Sequence, residues 1–367
     1  MRVAVCHPTI PFMRGGAEVL VDALVDGLRA AGHETELVSV PFKWYPPEEI
    51  VHEMAVWRSL DLTESDGVPI DAVIALKFPA YLVRHPRKIV WLMWQFRQAY
   101  ELWGKPEAGN FAAAEGSERV RDLIFEADRV ALREAAAVFA ISENVRSRLE
   151  RSVMLNGTVL YNPSPLSEHL AASPVGPIGD FVLFPSRLDP VKRQRLAVEG
   201  ISLATTPVRL VLPGAGPDAE PLRQMVAERG LGERVELPGR IPLDALAGRY
   251  RESLAVFFAP FDEDYGYVTL EAMAAGRPVI VTTDSGGPLE FVVDGQNGLV
   301  VPPEPQAVAD AFDRLYRDPG LAARLGAAGR ELVRTKVPPW SEVVAALLGS
   351  GSELPGAPPA GKQDHGG

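Results

Sequence analysis

The sequence predicts an α/β fold made of two doubly wound, Rossmann-like parallel-sheet domains in tandem. Three observations predict it. Short β-branched apolar runs alternate with amphipathic helical patterns from the first residues to about 160. A stretch rich in Pro and Ser, Tyr161 to Gly179, then breaks the pattern, and a second alternating series follows to about residue 336. Short apolar strands separated by helices read as parallel strands joined by crossovers. Ligands of such sheets bind beyond the carboxyl ends of the strands.

In the first series, strands are expected at Val3–His7, Glu36–Val40, Ala72–Leu76, Ile89–Trp94, Val138–Ile141 and Thr158–Leu160. The best helical patterns are Ala17–Ala31 and Val120–Ala136. Pro41 to Pro69 reads as irregular. Ser142-Glu143-Asn144 has the form of a helix N-cap with an acidic first turn. The Pro-rich stretch, with Pro163, Pro165, Pro174 and Pro177, reads as an interdomain linker. In the second series Phe181–Pro185, Val208–Leu212, Val235–Leu237, Leu254–Phe261 and Pro278–Thr282 read as strands. Val191–Ala204 and Pro217–Arg229 read as helices, and Trp340 to Leu348 as a short last one. The expected division is 1–172, 173–336, a closing helix at 337–348 and a disordered, Gly- and Pro-rich tail at 349–367.

The chain has 367 residues, 47% of them hydrophobic and 23% charged, as expected of a globular protein with ample core. A formal charge of −11, spread over both halves, opposes nucleic-acid binding. The single cysteine, Cys6, excludes a disulfide within the chain and suits a reducing compartment. No cleavable leader precedes the first strand, and no run reaches the roughly 18 apolar residues of a spanning helix. A cytoplasmic protein is expected, with peripheral contact to the inner face of a membrane left open.

The most informative stretch begins at Asp262: Asp-Glu-Asp-Tyr-Gly-Tyr-Val-Thr-Leu-Glu-Ala-Met-Ala-Ala-Gly-Arg-Pro-Val-Ile. A helix opens near Gly266, with Glu263 in the turn before it and Glu271 in its second turn. The amides of Gly266, Tyr267 and Val268 are first-turn donors at the positive end of the helix dipole, a seat for phosphate. Carboxylates on either side of an anion seat suit a diphosphate flanked by two hydroxyl-bearing groups, a ribose and a sugar. A nucleotide-sugar has that layout. Earlier in the same half, Arg187 can fork onto two phosphate oxygens while Lys192 adds a point charge. Positive residues at a helix start oppose the dipole, and a bound anion removes the conflict.

Glu263-x7-Glu271, with Tyr265-Gly266 inside it and Ala-Met-Ala-Ala-Gly-Arg-Pro-Val-Ile after it, resembles the donor-site motif of family 4 retaining glycosyltransferases (glycosyl transferases group 1). Arg187-Leu-x-x-x-Lys192 is similar to the same family's diphosphate signature, with Arg193 at a position where glycine is frequent. The resemblance implies the GT-B plan, two Rossmann-like domains facing a central cleft. It implies that Arg187 and Lys192 hold the donor diphosphate, Glu271 the ribose, and Glu263 the transferred sugar. Tyr265 falls inside the donor motif. The resemblance also implies donor contacts at Gly15-Gly16, which open a Gly-Gly-Ala-Glu run, and main-chain contact to the nucleobase near Arg240-Ile241. Pro213-Gly-Ala-Gly-Pro217 resembles the family's strand-end turn. The last helix is expected to return to the first domain.

The acceptor side is less determinate. Trp94 stands where relatives place a histidine, followed by Gln95 and Arg97, while His7 follows a strand end beside the glycine loop; these four are the acceptor-side candidates. A lone histidine in the place of His7 is more often structural than catalytic, and the aromatics from Trp91 to Trp103 read equally as core. Ser142 either caps a helix or also lines the cleft. Glu290 reads as a first-turn acid.

The implied activity is retaining transfer of a sugar from a nucleotide-diphosphate-sugar to a glycan, lipid-linked or small-molecule acceptor, in polysaccharide or glycoconjugate synthesis. No cofactor is implied. Asp262-Glu263-Asp264 spells an Asp-x-Asp metal motif, but Arg187 and Lys192 stand where a metal would act, so no metal is expected. The alternatives are a non-catalytic nucleotide-sugar-binding subunit, a phosphorylase-like use of the fold, and an NAD-dependent oxidoreductase. The last lacks a proper glycine fingerprint.

Overall fold

A computed structural model describes residues 1–105 and 111–349. The chain forms two six-stranded sheets in which every pairing is parallel. The first half runs β1 (Arg2–Thr9), α1 (Gly16–Ala30), β2 (Glu34–Pro41), α2 (Glu48–Ser59), the short hairpin β3 (Glu64–Ser65) and β4 (Val68–Pro69), then β5 (Ala72–Lys77) and β6 (Lys88–Trp94). It continues through α3 (Ser117–Arg133), β7 (Ala137–Ala140), α4 (Glu143–Val153), β8 (Thr158–Val159) and α5 (Pro165–Ala172). The strand order is β2-β1-β5-β6-β7-β8.

The second half runs β9 (Phe181–Leu183), α6 (Gln194–Leu203), β10 (Arg209–Pro213), α7 (Ala219–Glu228), β11 (Val235–Gly239), α8 (Leu243–Glu252) and β12 (Ala255–Phe257). After these come α9 (Tyr267–Ala274), β13 (Val279–Thr282), β14 (Gly298–Val301), α10 (Pro305–Arg317), α11 (Pro319–Lys336) and α12 (Trp340–Leu348). Its strand order is β11-β10-β9-β12-β13-β14. The central strands are apolar throughout because helices cover both faces, and β5 and β12 are buried at every residue. The helix α12 lies against α1, where a β-carbon on Gly27 would sit 3.4 Å from the Trp340 ring. No helix among the described residues is long and apolar enough to cross a membrane. Beyond Gly349 the tail expected to be disordered lies outside the described residues.

Three local expectations need correction. The stretch from Pro41 to Pro69 is not irregular throughout, since α2 occupies its middle and buries Ile50 and Trp57 completely. Its flanking prolines and weak amphipathicity hid it. The Pro-rich linker also folds in part. Ser164 accepts a hydrogen bond from the Ser167 amide and Pro165 takes the first helical position, which starts α5. The strand read at Leu254–Phe261 shortens to β12, and the remainder turns toward the strand ends.

The aromatic run after β6 is mostly core. Trp91 is buried edge-on against Trp340 with ring centres 6.1 Å apart, and Phe96 packs between Phe42, Phe78 and Phe111. Below this cluster lies Asp128 on α3, fully buried. It accepts hydrogen bonds from the Tyr81 and Tyr100 hydroxyls, both at 2.8 Å, and from Gln95 Nε2 at 2.9 Å. Gln95 Oε1 in turn accepts from Ser152 Oγ at 2.8 Å.

Burial pushes the Asp128 carboxyl up to about 6, against the pull of its three donors. A carboxyl raised in the fold holds its proton more tightly there than in the unfolded chain. Its contribution therefore grows as pH falls from neutral toward 4 and is lost as pH rises through 6. On moving from pH 7 to pH 5, the wild type should gain roughly 1 kcal/mol relative to Asp128→Asn. Chemical unfolding of both proteins at the two pH values measures this, and identical pH responses would contradict it.

Candidate active site

On the second half, the turn after β9 carries Arg187 and Lys192. Arg187 is half-exposed at the strand ends and pairs with Asp189 at 3.0 Å. Asp189 also caps the short turn 190–192 by accepting from the Val191 amide at 3.2 Å. The Gly214–Gly216 turn braces this segment. The Ser186 amide donates to the Pro213 carbonyl at 3.2 Å and the Leu188 amide to the Ala215 carbonyl at 3.1 Å. A β-carbon on Gly216 would fall 2.1 Å from the Leu188 carbonyl, so the approach requires glycine. Arg193 has φ 59, in the left-handed region where glycine is favoured. Its guanidinium donates to the Ala259 and Pro260 carbonyls, to Thr282 and to both oxygens of Asp284.

Lys192 meets the other half of the motif. Its ammonium lies 2.5 Å from Glu263 Oε2, both side chains being about four-fifths buried. Burial opposes ionisation of Glu263, but Lys192, Arg97 and Arg148 outweigh it and hold the carboxyl below its ordinary value. Main-chain bonds fix the turn, from the Glu263 amide to Ser285 and from the Gly287 amide to Glu263. Gly266 then starts α9 with φ 88, where a β-carbon would lie 2.9 Å from the Phe258 ring. The amides of Gly266, Tyr267 and Val268 donate to no acceptor among the described residues. Glu271, in the next turn, accepts from Tyr250 Oη at 2.6 Å and Ser164 Oγ at 3.0 Å, and burial raises its carboxyl. Arg240 is exposed and Ile241 half-buried just past β11.

Four first-half groups meet at the ends of β1, β5 and β6 and the start of α1. The Gly15 amide donates to Glu18 Oε2 at 2.7 Å, and Gly16 faces Tyr267, whose ring would lie 3.6 Å from an added β-carbon. His7 is buried, 3.6 Å from Glu18 Oε1, with neither ring nitrogen hydrogen-bonded. Burial pushes His7 below the usual histidine value. Lys77 Nζ sits 3.8 Å from Glu18 and 4.9 Å from the centre of the Trp94 ring. Burial lowers Lys77 to about 8. Lys77 escaped the sequence reading, and its only signal was a lysine ending an otherwise apolar strand.

Several candidates are occupied elsewhere. Gln95 spends its amide on Asp128 and Ser152, within the core. Arg97 turns to the second half, donating to the Asp262 carbonyl at 2.6 Å. The Tyr265 hydroxyl is buried, donating to the Asn162 carbonyl at 2.8 Å and accepting from the Asn162 amide at 3.1 Å. Tyr267 meets Asn162 through its hydroxyl as well. Glu290 is a first-turn acid of the short turn at Gly287–Glu290, and it has a second role. Its carboxylate accepts from the Glu143 and Asn144 amides at 2.9 and 2.7 Å and so caps α4 of the first half. Ser142 both caps α4, accepting from the Val145 amide, and donates to the Asp264 carbonyl at 2.5 Å. The three acids from Asp262 to Asp264 face Lys192, Arg97, Arg148 and Asn144. No group of three His, Cys, Asp or Glu side chains converges as a metal site among the described residues.

Residues 175–332 match the family described as glycosyl transferases group 1. Over 299 residues the chain is 31% identical to a D-inositol 3-phosphate glycosyltransferase of Acidothermus cellulolyticus, covering 69% of this chain and 63% of that protein. It is 29% identical over 226 residues to an alpha-D-kanosaminyltransferase of Streptomyces kanamyceticus, covering 57% and 58%. The matched segments thus span less than two thirds of these relatives. Sucrose-phosphate synthase from Thermosynechococcus elongatus superposes with a TM-score of 0.73 at 20% identity, over 94% of this chain and 97% of that one. Anabaena HepE, solved with UDP and glucose, superposes with a TM-score of 0.66 at 18% identity, over 95% and 99%. The fold is GT-B.

Arg193 offers a test of how the turn after β9 is held. Arg193→Ala loses the guanidinium bonds yet keeps a β-carbon in the left-handed region. Arg193→Gly loses the same bonds but relieves about 1 kcal/mol of backbone cost. Both should unfold at lower temperature than the wild type, with the alanine variant the lower by a few degrees in differential scanning calorimetry.

Proposed function

Since the second domain belongs to the glycosyl transferases group 1 family, we propose that this protein is a metal-independent, retaining glycosyltransferase. It moves a sugar from a nucleotide-diphosphate-sugar to a glycan, lipid-linked or small-molecule acceptor, as in polysaccharide or glycoconjugate synthesis. The observation that carries the reading is the Lys192–Glu263 contact at 2.5 Å, beside the donating amides at the start of α9. It joins a cation and an anion seat for a diphosphate to a carboxylate suited to sugar hydroxyls.

In the reaction, the bond from the anomeric carbon to the phosphate oxygen breaks and a bond to the acceptor oxygen forms on the same face. The acceptor proton passes to a donor phosphate oxygen, so no protein nucleophile takes part. Arg187, Lys192 and the amides from Gly266 to Val268 stabilise the charge growing on the departing diphosphate. Glu263, kept ionised by its cationic neighbours, accepts hydrogen bonds from the transferred sugar and orients it. Glu271 receives the ribose hydroxyls in exchange for Ser164 or Tyr250. The main chain at Arg240-Ile241 meets the base, and His7 and Trp94 line the acceptor side with Gly15-Gly16. UDP and glucose in the HepE structure, and the names of the glycosyltransferase relatives, support a nucleotide-sugar donor.

A panel of nucleotide-sugars should contain at least one that raises the unfolding temperature, because a ligand bound only by the native state stabilises it. With that donor, Lys192→Ala should lower transfer by roughly 10²-fold or more with unchanged circular dichroism. Transfer should survive EDTA. Donor binding without transfer to any acceptor would instead identify a non-catalytic binding subunit.

A further inference from the structure

The turn that carries Glu263 belongs to the second half, which binds it through main-chain bonds and Lys192, yet side chains of the first half grip it as well. Arg148, on α4, places one guanidinium nitrogen on Asp264 and the other 2.8 Å from Asp262 Oδ1 and 2.6 Å from the Asp262 carbonyl. Arg97, just after β6, adds a bond to the same carbonyl at 2.6 Å and an ion pair to Asp264 at 3.6 Å. Asn144 Nδ2 donates to Asp262 Oδ1 at 3.0 Å and to the Glu263 carbonyl at 2.8 Å. Glu101 pairs with both arginines, at 2.6 and 3.2 Å, and so ties them together. Neither arginine has its guanidinium on Glu263 itself, whose carboxylate goes to Lys192. Both arginine side chains are about nine-tenths buried, so water does not compete for these bonds.

We infer that Arg148 and Arg97 are positioning residues. They latch the first domain onto the Asp262–Asp264 turn, and so set the place of Glu263 and of the α9 amides two to four residues past Asp264. The donor side is then complete only while the latch is closed. The phosphate part rests on the diphosphate seat proposed above, whereas the latch itself does not. Charge loss and latch loss are separable, because the latch can be cut from either side. Arg148→Met removes a positive charge near the seat. Asp264→Asn removes a negative one, which by simple electrostatics strengthens anion binding.

The probe is inorganic pyrophosphate, titrated calorimetrically into the wild type, Arg148→Met and Asp264→Asn, with folding checked by circular dichroism. Latching predicts at least five-fold weaker binding in both variants. Weaker binding in Arg148→Met with tighter binding in Asp264→Asn would overturn it, leaving only local charge. A second arm uses spin labels at Leu123→Cys on α3 and Leu203→Cys on α6, both exposed, with buried Cys6 unlabelled. The wild type should give one narrow distance distribution, and both latch variants a broader one reaching longer distances. Unchanged distributions in both variants would overturn the latch. If pyrophosphate fails to bind the wild type, the proposed diphosphate seat falls and the distance arm alone decides the latch.

Discussion

Three consecutive carboxylates, Asp262, Glu263 and Asp264, sit largely buried in one turn, and this is the constraint that organises the molecule around the cleft. Unpaired, such charges repel and lose their hydration, and their pKa values rise until they neutralise. The structure answers with cations from three separate elements. Lys192 comes from the turn after β9, Arg97 from the end of β6, and Arg148 from α4. The outcome differs by position. Burial raises Asp264 despite both arginines, whereas in Glu263 and Asp262 the cations prevail and the carboxyls fall below their usual values. The middle residue of the run is thereby kept ionised while its neighbours spend their charge on holding two domains together.

Pairing of this kind is weak evidence for stability, because desolvation offsets most of the Coulombic gain. It is better evidence for geometry. A bidentate guanidinium tolerates little displacement, and here the forks are placed against main-chain carbonyls as well as carboxylates. Glu290 works in the same sense from the other direction, since its carboxylate sits on the first amides of α4 and Tyr161 Oη donates to it at 2.9 Å. At the strand ends the contact between the halves therefore runs largely through charge and dipole, beside the groups proposed to meet a diphosphate.

The sequence carried the parts whose chemistry is local. Alternating strands and helices gave both sheets, because a strand buried on two faces must be apolar throughout. Arg187, Lys192, Glu263 and Glu271 stood out through the resemblance of their ordered motifs to one family, and Lys192 and Glu263 come together across 71 residues. What escaped depended on distant partners. Glu290 reads as an acid favouring its own helix start until α4 of the other half arrives above it. Arg148 is one of three arginines on an exposed-looking helix, and nothing in its neighbourhood marks it as buried. Gln95 and Arg97 lie just past Trp94 in sequence, but the chain has left β6 there and turns at Arg97–Ala99, so one side chain goes into the core and the other to the Asp262 carbonyl. The helix α2 was missed for a different reason: prolines flank it and only two of its residues are fully inside.

Trp94 shows how one departure from a pattern reshapes its surroundings. The resemblance leads to a histidine at the end of β6, and an indole there offers no acceptor and only one donor. Lys77 pairs with Trp94 in the strand register, and its ammonium lies over the indole face. The charged group at that end of the sheet is Lys77 on β5. It pairs with Glu18, which Lys77, His7 and the Gly15 amide hold at about 2 although burial works against its charge. An ammonium lowered to about 8 and a carboxylate held ionised make this corner polar without net charge. Such a corner suits hydroxyls better than a second anion, which is the distribution a cleft needs when the opposite wall carries the cations proposed to hold a diphosphate.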